Sequence, residues 1–112
     1  MTSSCSTPAL VAPLDDNHAD HIATTLRAMG DATRVKLMHR MVSAAPDGVC
    51  VCDLTAPLGI SQPSVSYHLR ILRQAGLVAR RQEGTFAYYS VVPGALDAMD
   101  ALLRPLMAEA CA

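Results

Sequence analysis

The sequence has no tryptophan, and aromatic residues make up only 4% of its 112 residues. Its core must therefore be aliphatic, with six methionines available to fill gaps between branched side chains. No stretch approaches the roughly 20 consecutive apolar residues that cross a bilayer, which argues against a membrane protein. The first residues lack both a basic segment and a long apolar segment, so we expect no secretory signal and a cytoplasmic location.

The chain also has little net charge. The formal value of −1 argues against a generic polyanion binder, and the apolar content of 51% favours one globular domain over disorder. The charges are unevenly distributed, because residues 61–81 contain four arginines while all ten acidic residues lie elsewhere. A basic segment on a nearly neutral protein is typical of a local nucleic-acid-binding face.

Enzyme signatures are missing as well. We find no nucleophile paired with a base, no phosphate-binding loop and no metal-ligand set with a plausible general base. The sequence therefore predicts a protein that is not an enzyme.

The pattern along the chain predicts a flexible N-terminal arm at 1–17 and one folded domain at 18–112. Apolar residues at helical spacing, glycine stops and helix-capping residues indicate five helices, and two β-prone runs around Glu83-Gly84 indicate a hairpin. We expect the second helix to bury a broad stripe that includes Val35 and Val42. The expected elements are helices at about 18–29, 32–44, 52–58, 61–75 and 94–110, with the hairpin at 77–92.

A short helix, a glycine-containing turn and a longer helix are the elements of a helix-turn-helix. The following hairpin makes the expected fold a winged helix-turn-helix, mainly α with a small β-hairpin. The long helix and hairpin offer short polar side chains for base edges and arginines for phosphates. The candidate DNA-binding residues are Ser61, Gln62, Ser64, Ser66, Tyr67, His68, Arg70, Arg73, Arg80 and Arg81.

His68 has two interpretations. It lies beside the apolar face formed by Val65, Leu69 and Leu72, so a half-buried histidine with a local hydrogen bond is as consistent with the pattern as a base contact.

Four cysteines in a cytoplasmic protein are not expected to form structural disulfides. Cys50 and Cys52 lie one residue apart just before the helix-turn-helix, and Cys5 and Cys111 lie near opposite ends of the chain. Two thiols at this spacing can converge on one ion only at an irregular helix start. A helix N-terminus there is expected to lower their pKa and favour the metal-binding thiolate.

Three segments resemble the ArsR/SmtB family of winged-helix metalloregulatory repressors. They are "LRAMGDATRVKLM" (26–38), "VCVCDLTAPLGISQPSVSYHLRILRQAGLV" (49–78) and "RRQEGTFAYYSV" (80–91). The resemblance implies a homodimer formed through the first and last helices. It also implies a repressor on double-stranded operator DNA that dissociates when a toxic metal or metalloid binds.

The Cys-Val-Cys-Asp-Leu motif of the arsenic and cadmium/lead branches is present at 50–54. The third cysteine of the common arsenic version is replaced here by Thr55. The family's alternative zinc site on the last helix uses Asp and His pairs, and no histidine follows His68, so we expect that site to be absent.

A third ligand must then come from elsewhere. We expect Cys5, on an arm that reaches the Cys50/Cys52 pair of the second subunit as in the cadmium/lead-type relatives, with Cys111 as the alternative. His18 and His21, three residues apart, are more simply exposed helix residues. Three thiolates suit As(III) or Sb(III), and Cd(II), Pb(II) or Zn(II) are the alternative inducers. A thiol redox switch on the same scaffold is a further alternative.

Overall fold

The computed structural model describes residues 14–44 and 47–107. Within these ranges the helices and strands follow the order expected of a winged helix-turn-helix, with a 3₁₀ turn after the third helix. They are α1 (Asp16–Met29), α2 (Ala32–Ala44), β1 (Val49–Cys50), α3 (Val51–Thr55), the 3₁₀ turn (Ala56–Leu58), α4 (Gln62–Gln74), β2 (Val78–Glu83), β3 (Phe86–Val91) and α5 (Asp97–Met107). None of the helices in these ranges has the length and apolar character needed to cross a bilayer.

The helix starts follow from side-chain capping. Asp15 accepts the backbone N–H of His18 at 2.7 Å and begins α1, and Ser61 Oγ accepts the N–H of Ser64 at 3.3 Å and begins α4. The side chain of Asp31 accepts two backbone N–H groups in the first turn of α2. Each contact satisfies a donor that has no partner inside the helix, so these polar residues determine where the helices begin.

The core is aliphatic, as the sequence predicted, and joins α2, α3 and α4 to the sheet. Burying such side chains contributes about 1.5–3 kcal/mol each, so this cluster supplies the main stabilisation of the fold. The large side chains with essentially no exposure are Leu37, Met41, Leu54, Val65, Leu69, Leu72 and Leu77.

The sheet has three antiparallel strands in the order β1-β3-β2, where the sequence predicted only a two-stranded hairpin. The hairpin of β2 and β3, called the wing below, pairs from Val78↔Val91 to Glu83↔Phe86. The additional strand β1 contains two residues, too few to show an alternating pattern in the sequence. Gly48 precedes it with φ of 90°, and a Cβ there would lie 3.2 Å from the Tyr89 carbonyl oxygen.

Several expected boundaries and burial assignments differ from the structure. Helix α1 begins at Asp16, inside the segment assigned to the arm, and α5 begins at Asp97, after the turn that contains Gly94. Val35 and Val42 are exposed, so the buried stripe of α2 is narrower than expected. The remainder of the expected arm (1–13) and the expected end of the last helix (108–110) lie outside the described residues.

The Asp31 cap gives a pH-dependent prediction. Its pKa is lowered from the usual value, mainly because the Arg34 backbone N–H donates to its carboxylate. A lowered folded-state pKa stabilises the fold above about pH 4, and the contribution is lost as pH falls through the folded pKa. We expect Asp31→Ala to lower the urea midpoint at neutral pH. Asp31→Asn, which keeps a capping oxygen, should lower the urea midpoint less than Asp31→Ala does. The difference between the midpoints of Asp31→Asn and wild type should vanish in acid. A midpoint difference between Asp31→Asn and wild type that stays constant from neutral to acid pH would contradict the lowered pKa of Asp31.

Candidate nucleic-acid interface and thiol site

Helix α4 has one buried face and one exposed face. Val65, Leu69 and Leu72 are fully buried against the core, so the opposite side of the helix is turned toward solvent. The exposed polar residues on it are Gln62, Ser64, Ser66, Tyr67, Arg70, Arg73 and Gln74. The residues of α4 that the sequence predicted to contact DNA are therefore exposed, except His68, which is half-buried. Ser61 is also exposed, but its hydroxyl caps the helix and contacts Ser64 Oγ at 3.1 Å.

An open cleft of about 470 Å³ separates α4 from the wing. Arg70, Arg73 and Arg80 line it together with polar and aromatic side chains, and none of the acidic residues that the structure describes contributes to its lining. The Arg70 guanidinium lies 5.7 Å from the centre of the Tyr67 ring, a cation–π distance. Three guanidinium groups along one cleft form the positive surface that a phosphate backbone requires.

Arg81 does not line this cleft, because alternate residues of a strand point to opposite faces of the sheet. Its Nε donates to Glu83 Oε2 at 2.9 Å, and its Nη1 donates to the Asp47 carbonyl oxygen at 3.3 Å. The same guanidinium lies 5.1 Å from the centre of the Tyr88 ring. Arg81 thus connects the wing to the turn before β1, and its predicted DNA contact stays a prediction.

His68 is half-buried at the edge of the apolar face of α4. Its Nδ1 lies 3.0 Å from Nη1 of Arg34 on α2, and its ring meets that of Tyr67 edge-on at 5.3 Å. A guanidinium only donates, so Nδ1 is the acceptor in this pair. Sequence reasoning missed Arg34, because no spacing pattern indicates a contact between residues 34 positions apart.

The two central thiols converge. Cys50 has extended backbone (φ −67°, ψ 146°) and occupies the position immediately before α3, whereas Cys52 lies in its first turn. Their Sγ atoms are 2.8 Å apart, and Cys52 is exposed. The prediction that an irregular helix start brings both side chains to one point is confirmed, and this geometry suits two thiolates binding one soft ion.

The expected lowering of the thiol pKa is wrong for Cys52. Its pKa is raised, first because its thiol shares a hydrogen bond with Cys50, and further because desolvation and the neighbouring charges of Cys50 and Asp53 disfavour the thiolate. The Cys52 thiol is therefore protonated more readily than that of an isolated cysteine, and metal binding has to displace its proton.

The described residues contain no cluster of three or more His, Cys, Asp or Glu side chains that would complete a metal site. Cys5 and Cys111, the two expected sources of a third thiol, lie outside them. His18 and His21 are both exposed on α1. Thr55 donates its hydroxyl to the Val51 carbonyl oxygen at 2.8 Å. Within the described ranges, Cys50 and Cys52 form an incomplete, two-thiol site.

The thiol pair and the α4 surface share a cavity of about 390 Å³. Cys50 and Cys52 line it together with Gln62 and Ser66 of α4 and Arg80 of the wing. Val51 of α3 and further residues of the hairpin, among them Phe86, complete its lining. A ligand held by the thiols would therefore lie beside the side chains that are candidates for DNA contact.

The shared proton gives a prediction about reactivity. In a Cys5→Ser/Cys111→Ser background, Cys50→Ala removes the partner that raises the pKa of Cys52, so iodoacetamide should alkylate Cys52 faster at neutral pH. Peptide mass spectrometry measures the rate. Asp53→Asn, which removes a weaker influence, is the matched control and should give a smaller increase. An unchanged rate in Cys50→Ala would refute the hydrogen-bonded pair.

Comparison with known proteins identifies the scaffold. Residues 31–80 match the family described as "Bacterial regulatory protein, arsR family". The chain is 49% identical to the putative arsenical resistance operon repressor ArsR2 of Halobacterium salinarum, over 72% of this chain and 70% of that protein. It is 36% identical to a cadmium resistance transcriptional regulatory protein CadC homolog of Staphylococcus aureus, over 62% of this chain and 56% of that protein.

Solved structures agree with the fold. A possible transcriptional regulator for arsenical resistance superposes with a TM-score of 0.67 at 31% identity, covering 77% of this chain and 86% of that one. Reduced HlyU from Vibrio cholerae superposes with a TM-score of 0.64 at 27% identity, covering 84% and 96%. The winged helix-turn-helix prediction is thereby confirmed. The chain belongs to the arsR family of bacterial regulatory proteins and is a transcriptional regulator, not an enzyme.

Proposed function

We propose that the protein is a repressor that binds operator DNA through α4 and the wing and dissociates when As(III) or Sb(III) binds its thiols. The observation that carries the proposal is the 2.8 Å separation of the Cys50 and Cys52 Sγ atoms beside the α4 surface. Soft thiolates select thiophilic ions over hard ones. The names of the relatives, arsenical and cadmium resistance regulators, point to the same class of inducer.

The DNA-binding part of the proposal rests on the basic cleft. Polar side chains at the start of α4, including Gln62 and Ser66, reach the major groove, while Arg70, Arg73 and Arg80 hold phosphates on either side. Their exposure supports this division of roles, as does the lack of acidic side chains among the described residues that line the cleft.

The repressor acts as a homodimer formed through α1 and α5. These two helices contact each other within one subunit, and both expose leucines, Leu26 on α1 and Leu102 on α5, at 41% and 38%. Leu14, just before α1, is exposed at 50%. A second subunit that covers these side chains removes apolar surface from water and places two α4 helices about one DNA turn apart, roughly 34–36 Å.

The third thiolate comes from Cys5 of the second subunit, with Cys111 as the alternative. Three thiolates suit As(III) or Sb(III), whose lone pair occupies the remaining direction. Tying the start of α3 to the other subunit moves the two α4 helices relative to each other, so both half-sites are no longer held together. A coupling of about 3 kcal/mol weakens operator affinity more than about 100-fold.

Operator release is tested by fluorescence anisotropy under reducing conditions. Arsenite should weaken operator binding of the wild type more than about 100-fold. Two variants, Cys50→Ser/Cys52→Ser and Cys5→Ser, should bind operator normally but fail to respond to arsenite. Thr55→Cys restores a thiol at the position that the common arsenic motif uses, so adding it to Cys5→Ser should recover the response.

The outcomes separate the alternatives. A silent Cys111→Ser variant with a responsive Cys5→Ser variant assigns the third ligand to the C-terminus. A stronger response to Cd(II), Pb(II) or Zn(II) changes the inducer but keeps the site. No response to any ion, combined with reversible loss of binding on oxidation, contradicts the proposal in favour of a thiol redox switch, for which the close sulfur atoms are the supporting observation.

Salt dependence tests the phosphate contacts. Each phosphate contact contributes a slope of about 0.9 to the fall of log affinity with log salt, so Arg80→Ala should reduce the slope by about 1.8 per dimer. Lys36→Ala is the matched control, because Lys36 is an exposed cation on α2, outside both the cleft and the proposed dimer interface. Equal slopes for both variants would contradict a role of Arg80 in phosphate binding.

A further inference from the structure

Arg34 connects three helices through one side chain. It lies in the first turn of α2, and its Nε donates to the carbonyl oxygen of Ala28 near the end of α1 at 2.6 Å. Its Nη1 lies 3.0 Å from Nδ1 of His68 on α4. Its backbone N–H donates to the Asp31 carboxylate at 3.2 Å, which anchors the same residue to the turn between α1 and α2.

The contact with Arg34 determines which ring nitrogen of His68 accepts a hydrogen bond. Arginine has five N–H donors, no acceptor and stays protonated, so Nδ1 of His68 accepts and the ring proton is on Nε2. Both side chains are part-buried, and among the described residues the Arg34 guanidinium forms no salt bridge. The bond is charge-assisted at its donor and is therefore stronger than a neutral hydrogen bond.

We propose that Arg34 and His68 are positioning residues that set the rotation of α4 about its own axis. The buried contacts of Val65, Leu69 and Leu72 hold the helix by non-directional packing. The Arg34–His68 hydrogen bond adds a directional constraint at the edge of that face. A rotation of about 20° would move an atom about 6 Å from the helix axis by about 2 Å, enough to lose a hydrogen bond to a base edge.

The other end of this connection is on α1. Ala28 is buried, and α1 is one of the two helices in the proposed dimer interface. A movement of α1 would therefore be passed through Arg34 to the orientation of α4. This inference rests on the proposed operator binding by α4, but it is independent of which ion the thiols bind.

Substitutions at position 68 separate positioning from base contact. In His68→Asn, Oδ1 takes the place of Nδ1 and keeps an acceptor for Arg34. In His68→Gln the amide oxygen lies nearer the position of Nε2, and His68→Leu removes the acceptor. We expect operator affinity to fall about tenfold in His68→Leu and in Arg34→Gln, and to stay within about twofold of wild type in His68→Asn.

Coupling is measured by a double-mutant cycle. If the two residues act through one bond, Arg34→Gln/His68→Leu should bind operator no more weakly than either single variant. Additive losses, or loss in His68→Asn with normal binding in Arg34→Gln, would overturn the proposal and assign His68 a direct base contact.

Two control measurements test whether the variants are folded. They are the thermal unfolding midpoint and the affinity for a scrambled duplex at low salt. A positioning role predicts that operator affinity falls while scrambled-duplex affinity is retained, because the arginines of the cleft stay exposed. Parallel loss of both affinities with a lowered midpoint would overturn positioning in favour of a stability role. If wild type does not prefer operator over the scrambled duplex, the proposed function itself fails.

Discussion

The structure depends on the packing of one face of α4 into an aliphatic core. Val65, Leu69 and Leu72 are fully buried in this core, and this packing turns the polar side of the helix and its arginines toward solvent. The Ser61 cap and the short α3 determine where the helix begins, and the wing places Arg80 on the other side of the same cleft. The candidate DNA-binding face is thus a consequence of how the core is filled.

The same packing explains the position of the thiols. Leu54 is buried against the core and holds α3 beside α4, so the residues that begin α3 lie next to the candidate DNA-binding face. Cys50 is also paired with Tyr88 in the sheet, which keeps its backbone extended where a helix would otherwise separate the two sulfur atoms. A ligand at this point touches both the sheet and the helix-turn-helix.

Much of this could be predicted from the sequence, because capping residues, glycine stops and apolar spacing are local signals. The convergence of Cys50 and Cys52 followed from their spacing at a helix start. Strand β1 was missed because two residues show no alternation. The expectation that Val35 and Val42 are buried was wrong, because spacing alone does not reveal how wide the buried stripe of a helix is. The Arg34–His68 contact and the raised pKa of Cys52 depend on three-dimensional proximity that no local pattern carries.

The central claim is that metalloid binding at the thiols and operator binding at α4 are energetically linked. Linkage is reciprocal, so operator must weaken arsenite binding by the same factor by which arsenite weakens operator binding. The direct measurement is the arsenite affinity of the reduced wild-type protein, with and without saturating operator. We expect a loss of more than about 100-fold, matching a coupling of about 3 kcal/mol. Equal arsenite affinity in both conditions would contradict the account.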